Sequence, residues 1–300
     1  MKHTDSRGKI LTRALVAAGL AVQGLVAGTA ANAWDAQPGD FIAAPAGTQM
    51  ALAYYLGTTS DTFVDGDGNE VAGSGLDTNV GILRYVYFFD LGGMRADINV
   101  LQTFGSLDNM SVGGAGIETK DFSLGDTTLV GTVWPLNDPE NGRYFAIATY
   151  LTLPTGEYSA TRPGLGSNRW SAAVQPGFVF RFAPQWSVDL AADVTIYGDN
   201  DDGPGGVTVE KDPSYTALGW LSFHASDKTT LSLGATTSWG GAETVGGIKG
   251  ADVESTTVRA AWSQMLNPTT QFLMEVGHDV DAQNTFERDT TLTLRLAKFF

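Results

Sequence analysis

The chain has 300 residues, of which 33 are acidic and 18 basic, for a formal net charge of −15. Such a surplus disfavours nucleic acid as a partner, because binding there depends on Lys and Arg neutralising phosphates. With no cysteine, disulfides cannot staple a small scaffold, so stability must come from a large hydrogen-bonded architecture.

Lys2, Arg7, Lys9 and Arg13 precede an apolar run from Ala14 to about Gly28, which ends at the small residues Ala31-Asn32-Ala33. This order reads as a secretory signal peptide over residues 1–33. The run is shorter than the roughly 20 residues a transmembrane helix needs, and no other stretch is long and apolar enough to span a bilayer as a helix. Cleavage after Ala33 removes four basic residues and Asp5, leaving the mature chain still more acidic. Residues 34–47 follow, with Pro38, Gly39, Pro45 and Gly47 and no strand alternation.

From residue 48 to the end the pattern is β. Thirty-seven glycines, abundant Thr and aromatics, and a mean hydropathy near zero suit many strands and turns. Alternation predicts strands at about 48–59, 78–89, 94–104, 121–134, 143–154, 169–182, 186–197, 213–224, 229–239, 252–265, 270–278 and 288–300. The breaks between them alternate in length. Short ones fall at 90–93, 135–142, 183–185, 225–228 and 266–269; long ones fall at 60–77, 105–120, 155–168, 198–212, 240–251 and 279–287. Outer-membrane barrels sort their connections this way, with short periplasmic turns and longer external loops. The expected fold is therefore all-β: a transmembrane antiparallel up-and-down barrel of about twelve strands over residues 48–300, with both termini on the periplasmic side.

Strand parity supports two environments, one lipid and one lumen. Asp97 and Asn99 alternate with Ala96, Ile98 and Val100, and Asp189 and Asp193 with Val188, Leu190, Ala192 and Val194. The residues expected to line the lumen are Arg84, Arg95, Asp97, Asn99, Arg169, Arg181, Asp189, Asp193, Arg259, Glu275 and Arg295. Aromatics at strand ends, Tyr87, Phe89, Trp134, Phe180, Phe182, Trp186, Trp220 and Phe223, read as the periplasmic girdle. The final strand alternates Leu292, Leu294 and Leu296 with Thr291, Thr293 and Arg295 and stops on Phe300. It resembles the closing strand and assembly signal of bacterial outer-membrane barrels. That implies the outer membrane of a Gram-negative cell as location, its lipid as surroundings, and barrel-assembly machinery as a partner through Phe300.

The middle of the chain is more specific. Phe122-Ser-Leu-Gly125-Asp126 to Gly131, then Pro154-Thr155-Gly156-Glu157-Tyr158 and Gly164-Leu-Gly166-Ser-Asn168-Arg-Trp170 resemble the transporter-like family labelled "MetA-pathway of phenol degradation", which takes in sphingosine-induced outer-membrane proteins. The resemblance implies an outer-membrane channel for hydrophobic or aromatic compounds and, despite the label, no enzyme. On physical grounds Pro154-Thr155-Gly156 ends a strand and opens an external loop.

Other chemistry has little material. Asp65-Gly-Asp67-Gly-Asn69 opens like a calcium loop, but Glu70 stands where the sharp-turn Gly belongs and Leu76 where a bidentate Glu should close the site. A weak divalent-ion contact there, or at Asp199, Asp201 and Asp202, stays open. Beyond residue 33 only His224 and His278 remain, so no metal or other cofactor is expected. A barrel hydrolase would need a nucleophile beside one of them, His278 near Asp279 being the better placed. The expected function is passive uptake of a small solute. The alternatives are a closed structural or adhesion barrel and, behind it, that hydrolase. Lumen charges of both signs favour polar solutes, whereas a hydrophobic solute needs an apolar stretch inside; the sequence leaves the two open. In a bore narrower than that of open porins, Trp34, Phe41 and Ile42 are apolar enough for residues 34–47 to act as a plug, and a tail trailing in the periplasm is the other reading.

Overall fold

A computed structural model describes residues 35–300; the signal peptide expected at 1–33, and Trp34, lie outside the described residues. Twelve long strands form one closed antiparallel sheet. In chain order they are β1 (Gln49–Ser60), β2 (Gly75–Leu91), β3 (Met94–Val112), β4 (Ser123–Asp138), β5 (Arg143–Leu153), β6 (Ser171–Ala183), β7 (Trp186–Tyr197), β8 (Ser214–His224), β9 (Thr229–Gly240), β10 (Glu254–Asn267), β11 (Thr270–Gln283) and β12 (Thr290–Phe299). Each pairs with its chain neighbours, and β12 closes on β1 from Met50↔Phe299 to Thr59↔Thr290. Closure leaves no long strand with an open edge, which a bilayer would not tolerate.

The period-2 pattern decides which face meets which medium. On β2, Leu83, Tyr85 and Tyr87 are exposed while Ile82, Val86 and Phe88 are buried. On β7, Leu190, Val194 and Ile196 point outward, and Ser187, Asp189 and Thr195 are buried. Polar groups inside and an apolar surface outside invert the arrangement of a water-soluble protein, and they match a barrel set in lipid.

Strand bounds differ from the sequence expectation mainly at the long-loop end. β2, β3 and β11 run several residues further, because the loops themselves are built on strand pieces. Thr62–Val64 pairs with Glu70–Val71 and with Thr285–Glu287, and Val209–Lys211 pairs with Glu243–Val245, which in turn pairs with Ile248–Lys249. Phe63 packs edge-on against Phe286 at 5.3 Å in an apolar cluster with Leu76, Leu107, Met110 and Leu165. At the other end β4 continues past Pro135 to Asp138, with a register shift between Val133 and Leu136. A bulge there accommodates the proline, which has no amide hydrogen for the ladder.

Candidate transport channel

The segment ahead of β1 lies inside the barrel at the short-turn end. Asp40 N–H donates to the Gln37 carbonyl (3.1 Å) across the Pro38-Gly39 corner, and Gly39 adopts φ 84°, a conformation that favours glycine. Wall residues of many strands hold this corner. Gly39 N–H donates to Asp189 Oδ2 (2.6 Å), Trp134 Nε1 to the Phe41 carbonyl (2.8 Å), and Trp220 Nε1 to the Ala36 carbonyl (3.0 Å). Arg95 Nη1 donates to the Ala44 carbonyl. Phe41 is buried in an apolar cluster with Phe88, Trp134, Tyr144, Val179 and Trp220, and its ring lies against Gly177, where a Cβ would collide with it. Ile42, in contrast, is exposed.

Charges complete the attachment. Arg259 grips Asp35 with both terminal nitrogens, Nη1–Oδ2 2.7 Å and Nη2–Oδ1 3.0 Å, and its Nη1 also reaches Glu275 Oε1 at 3.3 Å. The guanidinium lies 4.4 Å from the Trp220 ring centroid. Arg295 Nη1 donates to Asp40 Oδ1 (2.7 Å) and its Nη2 to Gln271 Oε1 (2.9 Å).

Above this segment lies a cavity of about 130 Å³ whose two sides differ in character. Leu56, Val80, Ile82, Leu101, Ala148 and Leu165 line one side, interleaved with Thr58, Thr78, Thr103 and Thr132; Thr257, Arg259, Glu275, Arg288, Thr291 and Thr293 line the other. The apolar wall is continuous with a buried cluster of Ile82, Leu101, Val130 and Ala148, against which Tyr54, Leu56, Val80 and Tyr150 pack. Arg84 lines the cavity and donates from Nε to Asn99 Oδ1 (2.6 Å), and Asn99 donates to Asp97 Oδ1 (2.7 Å).

The remaining expected lumen residues spread along the barrel. Asp189, Arg259, Glu275 and Arg295 are buried inside, and Asp193 accepts from Gln175 Nε2 (3.1 Å). Arg95 stays near the first short turn, paired with Asp90 at 2.8 Å, and Arg181 is exposed at the short-turn rim. Arg169 packs beneath the outer loops, 3.3 Å from Glu243, close to Lys211, whose ammonium lies 4.9 Å from the Tyr197 ring and whose pKa burial pushes down.

Two aromatics read as girdle residues are not on the surface. Trp134 and Trp220 are almost fully buried, with their indoles spent on the carbonyls of Phe41 and Ala36. Tyr87, Phe182 and Trp186 are exposed as expected, and at the opposite end Tyr215 stacks on Trp239 at 5.7 Å. Sequence reasoning overlooked the carboxylates Asp35 and Asp40. A parity signal existed for the tryptophans: Trp134 shares its face with Thr132 and Thr128, and Trp220 with Ser222.

The Gly125-Asp126 and Pro154 to Trp170 motifs build one loop. Asp126 Oδ1 accepts from Gly156 N (2.8 Å), and its Oδ2 accepts from Ser167 N (2.9 Å) and from the Ser167 hydroxyl. Thr155 Oγ1 receives Thr127 N–H at 2.9 Å. Asn168 takes φ 54° and donates to Asn200 Oδ1 (2.7 Å). Trp170 covers Gly198, and Pro154 stands at the strand end. The loop carries Leu165 inward over the cavity.

Neither histidine sits in the arrangement that the alternative of a barrel hydrolase would need. His278 faces outward and donates from Nδ1 to the Asp289 carbonyl (2.8 Å), while Asp279, on the opposite face, binds Arg288 at 2.9 Å and Thr257 Oγ1 at 2.7 Å. His224 instead meets Ser187 Oγ at 2.9 Å, but its other nitrogen meets Thr230 Oγ1, not a carboxylate. In the Asp65 to Asn69 loop, Asp65 Oδ1 is taken by the amides of Asp67 and Asn69 (2.9 and 2.8 Å). The Asn69 amide foremost holds its carboxyl below the usual range. Among the described residues no group of three or more His, Cys, Asp or Glu gathers to hold a metal.

These features define a barrel of the outer-membrane type with a partly filled bore. The chain belongs to the family described as "MetA-pathway of phenol degradation", whose profile matches residues 60–296. It is similar to an outer membrane channel from Pseudomonas putida F1, with 28% identity over 88% of this chain and 100% of that one and a TM-score of 0.82. Two more distant barrels are the translocator domain of the autotransporter NalP from Neisseria meningitidis and the P. putida toluene transporter TodX. The first has 12% identity, TM-score 0.49, and covers 86% of this chain and 89% of that one. The second has 10% identity, TM-score 0.43, and covers 86% and 91%. No curated protein matches the sequence.

Proposed function

We propose that the protein is a passive outer-membrane channel for small hydrophobic or aromatic compounds, closed at its short-turn end by its own residues 35–47. The observation that carries this reading is the apolar wall of Ile82, Leu101, Val130 and Ala148 inside the bore, beneath the apolar cluster of the outer loops. An all-polar lumen would present no surface on which a hydrophobic solute gains from leaving water; buried apolar contact is worth about 25 cal/mol per Å². The protein acts by letting solutes through, not by chemistry on them. Export follows from the signal peptide at 1–33. Assembly follows from docking of the barrel-assembly machinery at the C-terminus, where Phe300 is exposed and its N–H donates to the Gln49 carbonyl (2.9 Å).

The mature protein, refolded into planar bilayers and liposomes, tests this. Entry of small aromatic solutes faster than of sugars of similar size is the expected result. A bilayer that stays silent even after removal of residues 35–46 would favour the closed structural barrel.

A further inference from the structure

The plug is attached by carboxylates, and the groups that receive them are built into the wall independently of it. Arg259 is positioned by Glu275 and the Thr236 hydroxyl from the two neighbouring strands and by the Trp220 ring from β8, one strand further round. Arg295 is positioned by Gln271. Both arginines are buried, and even with the plug in place their Nε atoms have no hydrogen-bond partner. Withdrawal of Asp35 and Asp40 would uncover both guanidinium groups, leaving Arg259 with Glu275 as its one anionic partner among the described residues and Arg295 with none. A guanidinium that has lost a charged partner gains most from another anion, so the vacated positions favour one. A planar carboxylate fits Arg259 best, since it can accept two parallel hydrogen bonds as Asp35 does.

The surroundings extend the requirement. The cavity reaches down to Asp35, Asp40 and Arg259, and its other side offers Leu56, Val80, Ile82, Leu101 and Ala148 among threonines and Arg84. A molecule arriving from the loop side thus meets apolar side chains for its body and, at the bottom, Arg259 under Asp35 and Arg295 behind Asp40. We propose that Arg259 and Arg295 are the carboxylate-recognition groups of the channel, that Asp35 and Asp40 occupy them as built-in stand-ins, and that a small aromatic carboxylate opens the channel by displacing these side chains. This rests on the reading of the protein as a channel closed by its N-terminal segment. A neutral aromatic of the same shape gains the apolar contacts but replaces neither carboxylate, leaving Arg259 with Glu275 alone and Arg295 without an anion, and so competes poorly with the plug.

Benzoate and benzamide separate these cases. They are applied to the loop side of the mature protein in planar bilayers at low ionic strength, where ion pairs are least screened. Benzoate is expected to raise open probability at a concentration at least about tenfold lower than benzamide, the difference a charge-assisted hydrogen bond supplies. The double variant Asp35→Asn, Asp40→Asn changes only the plug, so barrel folding is not at stake. It is expected to be open without solute and to respond to the two compounds alike. Equal responses of the unaltered protein to both compounds, or a double variant that still needs benzoate to open, would overturn the proposal. Deletion of residues 35–46 separates the two levels. If it fails to raise conductance, the plug reading falls and the proposal with it; if it raises conductance while benzoate and benzamide act alike, only the carboxylate site falls.

Discussion

Trp134 donates its indole N–H to the carbonyl oxygen of Phe41 at 2.8 Å, joining β4 to a segment 93 positions earlier in the chain. The bond ties the N-terminal segment to one wall residue, and Gly177 on β6 gives the Phe41 ring its place beside it. Trp134→Phe removes the bond and leaves most of the packing. Loss of one such hydrogen bond costs about 0.5–1.5 kcal/mol, which shifts plug release roughly two- to tenfold. Gly177→Leu fills the ring's place outright and is expected to open the channel more than Trp134→Phe does. Single-channel recordings measure both, and a Gly177→Leu channel that assembles yet conducts like the parent would show that the plug does not set the conductance.

How far this was legible can be traced residue by residue. The alternation of Asp189 and Asp193 with Leu190 and Val194 sufficed to place twelve strands, because lipid and lumen impose opposite demands on adjacent positions. The loop sheets were not legible: Thr62–Val64 and Thr285–Glu287 are three residues each, too short for a period to register, and they pair across almost the whole chain. The apolar wall left a mark that went unread. β2 is apolar on both faces through Val80, Ile82, Val86 and Phe88 on one side and Leu83, Tyr85 and Tyr87 on the other, more than lipid contact alone requires. Asp35 and Asp40 gave no local signal, since their partners Arg259 and Arg295 lie more than 200 residues away.

The outer surface should tolerate no charge. Val194 and Val258 are exposed on the apolar face, and an Arg near the bilayer midplane of such a barrel costs about 2–4 kcal/mol. Val194→Arg and Val258→Arg are therefore expected to lower the yield of folded, heat-resistant barrel on gels. Asp193→Asn, one position away and turned inward, should assemble normally and alter ion selectivity. Equal damage from both kinds of change would contradict the assignment of faces.

Asp126 is the anchor of the loop that holds Leu165 over the cavity. Asp126→Ala removes three hydrogen bonds to a carboxylate, and bonds of that kind contribute about 1.5–3 kcal/mol each. The barrel ladder does not depend on them, so assembly should persist while residues 154–170 loosen. Faster tryptic cleavage at Arg162, which is already partly exposed, is the expected readout, together with altered conductance as Leu165 leaves the cavity. Unchanged cleavage would mean that the loop is held by its backbone contacts, such as Glu157 N–H to the Leu124 carbonyl (2.8 Å).

Orientation in the membrane follows from the turns. The short connections, the N-terminal segment and Phe300 share one end, which an outer-membrane barrel places in the periplasm; the long loops then face the medium. A tag is expected to be reached on intact cells at Gly66, Gly203 or Gly247, but the three sites differ in tolerance. A Cβ at Gly66 would crowd Ala251 and one at Gly203 the Val207 carbonyl, whereas Gly247, at the tip of the turn joining Val245 to Ile248, has open space around it. An insertion after Gly247 should thus leave the fold intact and be labelled by a membrane-impermeant probe without cell disruption. Labelling that appears only once the outer membrane is opened would reverse the orientation, and with it the side from which solute reaches the apolar wall.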